Sequence, residues 1–176
     1  MGTDSVWKQT LTFSGSGNDA PHWVLGLGAS LYSPGGSVSA IWFYPPPGSA
    51  GDYGWRIYQG HHDEGGPTLA TGTIADGTYS NTGGWQRFPI TPVDVTGINF
   101  IVGIFTSNTG ANNYVYHPRD SPIQPDDGII VAQAGGCFKD SDAHPNQLST
   151  LFYGVDFEIT TPSGETFRAS QFFPFL

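Results

Sequence analysis

Glycine and proline interrupt this chain from end to end: 25 Gly and 14 Pro are distributed over 176 residues. An interior glycine costs a helix about 1 kcal/mol relative to alanine and a proline about 3, so a helical bundle is excluded. Disorder is not the alternative, because disordered chains are poor in aromatic and β-branched residues and 14% of these residues are aromatic. Short apolar or alternating stretches recur between Gly, Pro, Asn and Asp, which is the spacing of an all-β sandwich or barrel. The predicted fold is all-β: a two-sheet antiparallel β-sandwich, jelly-roll-like, with extra N- and C-terminal strands.

Strands are predicted over residues 6–13, 23–32, 37–44, 54–59, 68–74, 84–90, 99–106, 113–117, 128–132, 151–160 and 166–173. Turns fall at SPGG (33–36), PPPG (45–48), DEGGP (63–67), TGG (82–84) and PSGE (162–165). Polar loops are expected over 119–127 and 138–149. The length suits one domain, with an N-terminal strand and loop (1–22), a sandwich (23–160), and a C-terminal strand and tail (161–176). In the 151–160 strand, alternation places Leu151, Tyr153, Val155, Phe157 and Ile159 on one face, and Phe152, Gly154, Asp156 and Glu158 on the other. The almost wholly apolar run from Phe100 to Phe105 predicts a strand covered on both sides.

Charge narrows the partners. Six Lys and Arg stand against 15 Asp and Glu, a net charge of −9. The cations Lys8, Arg56, Arg87, Arg119, Lys139 and Arg168 are scattered singly, whereas nucleic-acid and anionic-membrane binding need clustered cations. No nucleic-acid partner is expected. No apolar run approaches the ~20 residues that span a bilayer, so no membrane insertion is expected either. The opening MGTDSVWKQTLTF has no basic start and no apolar stretch of signal-peptide length. If Met1 is the natural start, export by the general secretory route is not expected.

Catalytic signatures are weak. There is no G-x-S-x-G elbow, and Gly26-Leu27-Gly28 lacks the third glycine and the helix of a dinucleotide site. Cys137, the single cysteine, lies between Gly136 and Phe138 and reads as a small buried hydrophobe. His61-His62-Asp63-Glu64 is the densest set of metal-ligating side chains, but neighbours on an extended chain point in opposite directions, and the following Gly65-Gly66 suggests a hairpin tip. Asp126, Asp127, Asp140 and Asp142 are loop carboxylates of the kind that hold Ca²⁺ together with backbone carbonyls, without EF-hand spacing. No cofactor, no metal site and no enzymatic activity are expected.

The rings carry the stronger signal. A sugar site needs flat rings to stack on C–H faces and polar groups to meet hydroxyls. Tyr53 and Trp55 follow a Gly-rich loop, Tyr114 and Tyr116 share one face of a short strand, and Trp42 and Tyr44 lie opposite Ile41 and Phe43. These six are the glycan-binding candidates, while Trp23, Trp85 and most Phe residues belong to the core. At the C-terminus, Phe172, Phe173, Phe175 and Leu176 form an apolar tail. Either it folds onto the domain's own sheet or it docks into a neighbouring subunit.

From Trp23 to Thr160 the motif order resembles a bacterial extracellular β-sandwich family of unknown function. The resemblance runs through Gly36-Ser37-Val38-Ser39-Ala40-Ile41-Trp42-Phe43-Tyr44, Arg56-Ile57-Tyr58, Leu69-Ala70-Thr71, Gly84-Trp85-Gln86, Pro92-Val93 and the apolar strand Phe100 to Phe105. It ends at Gly135-Gly136-Cys137-Phe138, Pro145 and Tyr153-Gly154-Val155-Asp156-Phe157. Gly154 departs from it, standing where the family carries a bulky aromatic. The resemblance implies a sandwich, a sugar or surface-glycan ligand and no assigned catalytic residues. Such domains are appended to secreted glycosidases and cell-surface proteins, and occur in tail and surface proteins of phages. The expected function is therefore a non-catalytic structural and adhesion component of an assembled particle, a bacteriophage virion (tail or capsid surface) protein that contacts glycan. It would form a homo-oligomer and join other virion or surface proteins through its C-terminal tail. The alternative is a carbohydrate-binding module of a secreted or cell-surface bacterial protein. The expected location is the virion or the extracellular space.

Overall fold

The computed structural model describes residues 3–4, 13, 15–17, 23–31, 35–106, 114–118 and 130–162. Thirteen strands occur among them: β1 (Thr3–Asp4), β2 (Gly15–Gly17), β3 (Trp23–Leu31), β4 (Ser37–Phe43), β5 (Tyr53–Gln59), β6 (Thr68–Ile74), β7 (Gln86–Asp94), β8 (Asn99–Thr106), β9 (Tyr114–Pro118), β10 (Ile130–Lys139), β11 (Gln147–Leu148), β12 (Leu151–Tyr153) and β13 (Val155–Thr160). The chain is all-β and antiparallel, an open sandwich. One sheet has the order β1-β13-β4-β7 and the other β11-β10-β3-β8-β5-β6. A third, small sheet, β12-β9-β2, adds to the two that the sequence suggests.

Alternation decides which residues meet between the sheets. Leu25, Leu27 and Ala29 of β3, and Phe100, Val102 and Ile104 of β8, project from the six-stranded sheet into the core, where Val38, Ile41 and Phe43 of β4 and Val155, Phe157 and Ile159 of β13 meet them. The rings of Phe100 and Phe157 pack edge to face across the gap with centroids 5.2 Å apart. This burial, roughly 25 cal/mol per Å² of apolar surface, is what holds the sheets together.

The odd-numbered residues of the Phe100–Phe105 run explain why it has no polar alternation. Ile101 joins Val24, Tyr58 and Cys137 in a second cluster on the outer face of the six-stranded sheet, with Phe105 packed against it. Residues 140–146 strap over that cluster. Arg56 donates from Nε and Nη2 to the two carboxylate oxygens of Asp142, at 3.0 and 2.8 Å, and its guanidinium lies 5.2 Å from the Phe105 ring centre. His144 meets the Tyr58 ring edge to face at 5.2 Å. The strand is thus covered on both sides, as its composition predicts.

Tyr58 is 2% exposed, and its hydroxyl has no hydrogen-bond partner among the described residues. Burial, reinforced by Asp142, pushes the phenol up to about 12 from 10.0. Because the folded value lies above the unfolded one, the neutral phenol's contribution to stability is complete below about pH 10 and disappears as pH rises through about 12. Tyr58→Phe is expected to leave stability at neutral pH unchanged or raised by up to about 1 kcal/mol, since it removes a buried, unsatisfied hydroxyl. It should also flatten the fall of melting temperature between about pH 10 and 12. Thermal melting of both proteins across that range checks this.

Several boundaries depart from the sequence reading. The 84–90 strand begins later, at Gln86, and runs on to Asp94. Its prolines, Pro89 and Pro92, are tolerated because β7 is an edge strand. The 128–132 strand extends to Lys139 across a register shift between Ala132 and Gly136. Phe138 is therefore in a strand, not in the loop expected over 138–149. The single strand over 151–160 is broken at Gly154 into β12 and β13, which pair in different sheets. Phe152 and Asp156, placed by alternation on the face opposite Val155 and Phe157, are 1% and 0% exposed; Phe152 belongs to the main core, while Asp156 stands in register with Trp42. The 166–173 strand, nearly all of the 6–13 strand and the loop over 119–127 lie outside the described residues.

Candidate functional site

The two large sheets leave a trough where the edge strand β6 of one approaches the edge strand β7 of the other. It has a volume of about 430 Å³, and its lining includes Trp55, Thr71, Thr73, Pro89, Thr91 and Pro92. None of its lining residues is charged. The volume falls within the range of small-molecule sites.

Local pairing places the ring. Trp55 of β5 stands opposite Gly72 of β6. The indole lies directly over that glycine: a Cβ built at Gly72 would come within 2.5 Å of Trp55 Cε2 and Cζ2 and 2.6 Å of Nε1. An aromatic ring resting on a cross-strand glycine is a packing device of sheet edges. The bare Cα lets the half-buried ring extend from the core across β6 into the trough. Thr71, Thr73 and Thr91 are exposed at its rim; Thr71 pairs with Arg56 and Thr73 with Gly54, on the face of β6 turned away from the indole.

The other predicted rings are not gathered there. Tyr53 is the plain correction: it is 0% exposed and packs against Phe43, with centroids 4.6 Å apart, and against Tyr79 at 5.5 Å. It offers no face to a ligand. β5 begins one residue earlier than expected, at Tyr53, and this residue shares the inward face with Trp55 and Ile57. Trp42 stands on the outer face of the four-stranded sheet, in register with Arg87 and Asp156. Arg87 donates from Nε and Nη2 to the Glu158 oxygens at 2.9 and 2.7 Å, and Ser39 donates at 3.3 Å. The Arg87 bonds hold the Glu158 carboxyl below its ordinary range. With so many donors fixed on it, this carboxylate is the hub of a structural network on the sheet face.

Tyr44 packs against Phe13 and Trp85, with centroids 4.9 and 5.8 Å away, and those two rings are 5.5 Å from each other. Tyr114 and Tyr116 lie 6.2 Å apart on the small sheet, and Tyr114 meets Tyr153 at 5.7 Å. Tyr44, Tyr114 and Tyr116 are half-buried, and their contacts with neighbouring rings are edge-to-face or tilted. Trp85, assigned to the core from the sequence, is half-buried within this cluster. Phe172, Phe173, Phe175 and Leu176, the proposed docking residues, lie outside the described residues, as do Asp126 and Asp127.

The titratable groups occupy other places. His61, His62, Asp63 and Glu64 form the turn between β5 and β6, the hairpin tip the sequence suggests. Glu64 accepts from the His61 backbone N–H at 2.8 Å and from Asn99 Nδ2 at 2.7 Å, and these two bonds, the backbone one first, lower its pKa. Asp142 is engaged by Arg56. Among the described residues, no three His, Cys, Asp or Glu side chains are grouped to hold a metal ion. Cys137 is fully buried, and desolvation pushes its thiol well up, which keeps it from the thiolate form that nucleophilic attack requires.

The sequence reading identified Trp55 but missed its setting. Gly72, the three threonines and the two prolines complete the trough. A signal was present: Thr68-Leu69-Ala70-Thr71-Gly72-Thr73 has neither charge nor proline, while β7 carries two prolines that mark it as an edge. No family model matches the sequence, and no curated protein matches it.

Proposed function

We propose that this protein is a non-catalytic structural and adhesion component of an assembled particle, such as a tail or capsid-surface protein of a bacteriophage, and that it contacts glycan through the Trp55 trough. The observation that carries the reading is the half-buried indole laid over Gly72 in an uncharged, threonine-lined groove. Rings supply C–H stacking surface and hydroxyls supply hydrogen bonds, which is the chemistry of sugar recognition. The two best-formed acid networks, at Glu64 and Glu158, are occupied by internal donors, which suits a scaffold better than proton transfer. The apolar C-terminal sequence supplies the docking element of this reading, and the extracellular family that the chain resembles supplies its setting.

The second reading, a carbohydrate-binding module of a secreted or cell-surface protein, draws on the same trough. Retention on immobilised cell-surface polysaccharide tests what the two share. Trp55→Ala is expected to weaken retention by about 1–3 kcal/mol, on the scale of ring–base stacking, and unchanged retention would remove Trp55 from the site. Sedimentation separates the two readings. An assembly component forms oligomers that are lost when residues 172–176 are deleted, whereas a module is a monomer with or without them.

A further inference from the structure

We propose that the ligand of the Trp55 trough is a neutral polysaccharide chain, not an acidic or an amino-bearing one. This inference rests on the glycan-binding reading and adds the ligand class to it.

The charge around the trough is the starting point. Among the described residues, its lining contains no Asp, Glu, Lys, Arg or His. The two arginines on the strands that build it are both turned elsewhere and engaged. Arg87 of β7 is held by Glu158 on the outer face of the four-stranded sheet. Arg56 of β5 is held by Asp142 on the outer face of the six-stranded sheet. On β7, Asp94 accepts the Thr96 backbone N–H at 2.9 Å. An anionic polymer entering the trough would meet no cation there, and would approach a chain of net charge −9 against its long-range field. A polymer bearing amino groups would gain that field but lose hydration without meeting a carboxylate, and an unpaired charge in a groove is costly.

What the trough does offer suits uncharged sugars. The indole provides a flat apolar surface, the two prolines add apolar walls, and Thr71, Thr73 and Thr91 at the rim carry hydroxyls that both donate and accept. The outer edge of β6 adds backbone N–H and C=O groups that no described strand pairs. Residues 70–73 of β6 and 89–93 of β7 form the two sides. At roughly 3.3 Å per residue these run for about 13–16 Å, longer than a single sugar ring, so the site extends along a chain.

The test is affinity electrophoresis of the full chain through gels containing dextran or a neutral β-glucan, polygalacturonate, or chitosan. Neutral polymer is expected to retard the protein, with retardation unchanged between about 50 and 500 mM NaCl, because no ion pair is screened. Trp55→Ala should weaken this retardation about tenfold or more. Gly72→Val, which keeps the indole but forces it off β6, should do the same, with melting curves confirming that each variant is folded. Preferred retardation by polygalacturonate or chitosan, falling with salt and sensitive to Trp55→Ala, would overturn the ligand class while leaving the glycan reading intact. Retardation by no polymer would overturn both. Neutral-polymer binding that survives Trp55→Ala would place the site elsewhere and sink the assignment.

Discussion

Replacing Phe157 by alanine destabilises the domain by about 3–5 kcal/mol, the range for deleting a buried aromatic ring whose cavity cannot collapse. Phe157 is 0% exposed and lies in β13, the strand between β1 and β4 at the heart of the four-stranded sheet. Its ring meets Phe100 of β8 edge to face, so one contact joins the two layers. Phe100→Ala is expected to cost a similar amount. The double mutant should cost less than the sum by about 0.5–1.5 kcal/mol, the coupling of an aromatic pair. Urea unfolding of the four proteins measures it. Additive losses would mean that the rings act independently and that the layers are joined elsewhere.

The second large effect is expected at Gly154. Its surroundings leave no room for a side chain. A Cβ there would lie 2.4 Å from Val115 Cγ2 and 3.1 Å from both the Cβ and the backbone oxygen of Tyr44. The backbone is fixed as well, since Tyr44 N donates to the Gly154 carbonyl at 2.8 Å and Gly154 N donates to Val115 O at 3.1 Å. Gly154 is thus the buried junction at which β12 leaves the small sheet and β13 enters the large one. Placing an aromatic there by Gly154→Trp should cost about 3 kcal/mol or more, at or above the upper end for overpacking. Gly154→Trp combined with Val115→Ala should recover part of the loss. Thermal melting checks both, and a Gly154→Trp protein as stable as the parent would show that the junction has room the structure does not indicate.

These two sites also show how far the sequence could be read. Phe157 was legible because alternation with period two is a local property: Val155, Phe157 and Ile159 point inward whatever else the chain does. The run from Phe100 to Phe105 was legible for a different local reason: it is apolar on both faces, and only a strand covered on both sides takes such a run. Gly154 was not, because the register break depends on Val115 and Tyr44, remote in sequence, occupying its space. Tyr53 failed for a related reason. Its position after a Gly-rich loop suggested a rim, but one additional residue of strand placed it on the inward face, where Phe43 and Tyr79 enclose it. Trp55 was legible as a candidate ring, while the trough around it was not. Its far wall belongs to β7, and nothing local in the sequence says that β6 and β7 face each other.

The central position of β13 has a consequence for synthesis. β4 is made early, yet one of its two neighbours is the last of the thirteen described strands, with Ser37 paired to Thr160 and Phe43 to Val155. Translation at roughly 5–20 residues per second leaves that partner missing for several seconds after β4 has emerged. During this interval the inner side of the nascent sheet is bare, and ribosome-bound chaperones have their best opportunity to act. A polypeptide terminated before residue 155 would lack the strand that closes the layer, and should be recovered as aggregate or as proteolytic fragments.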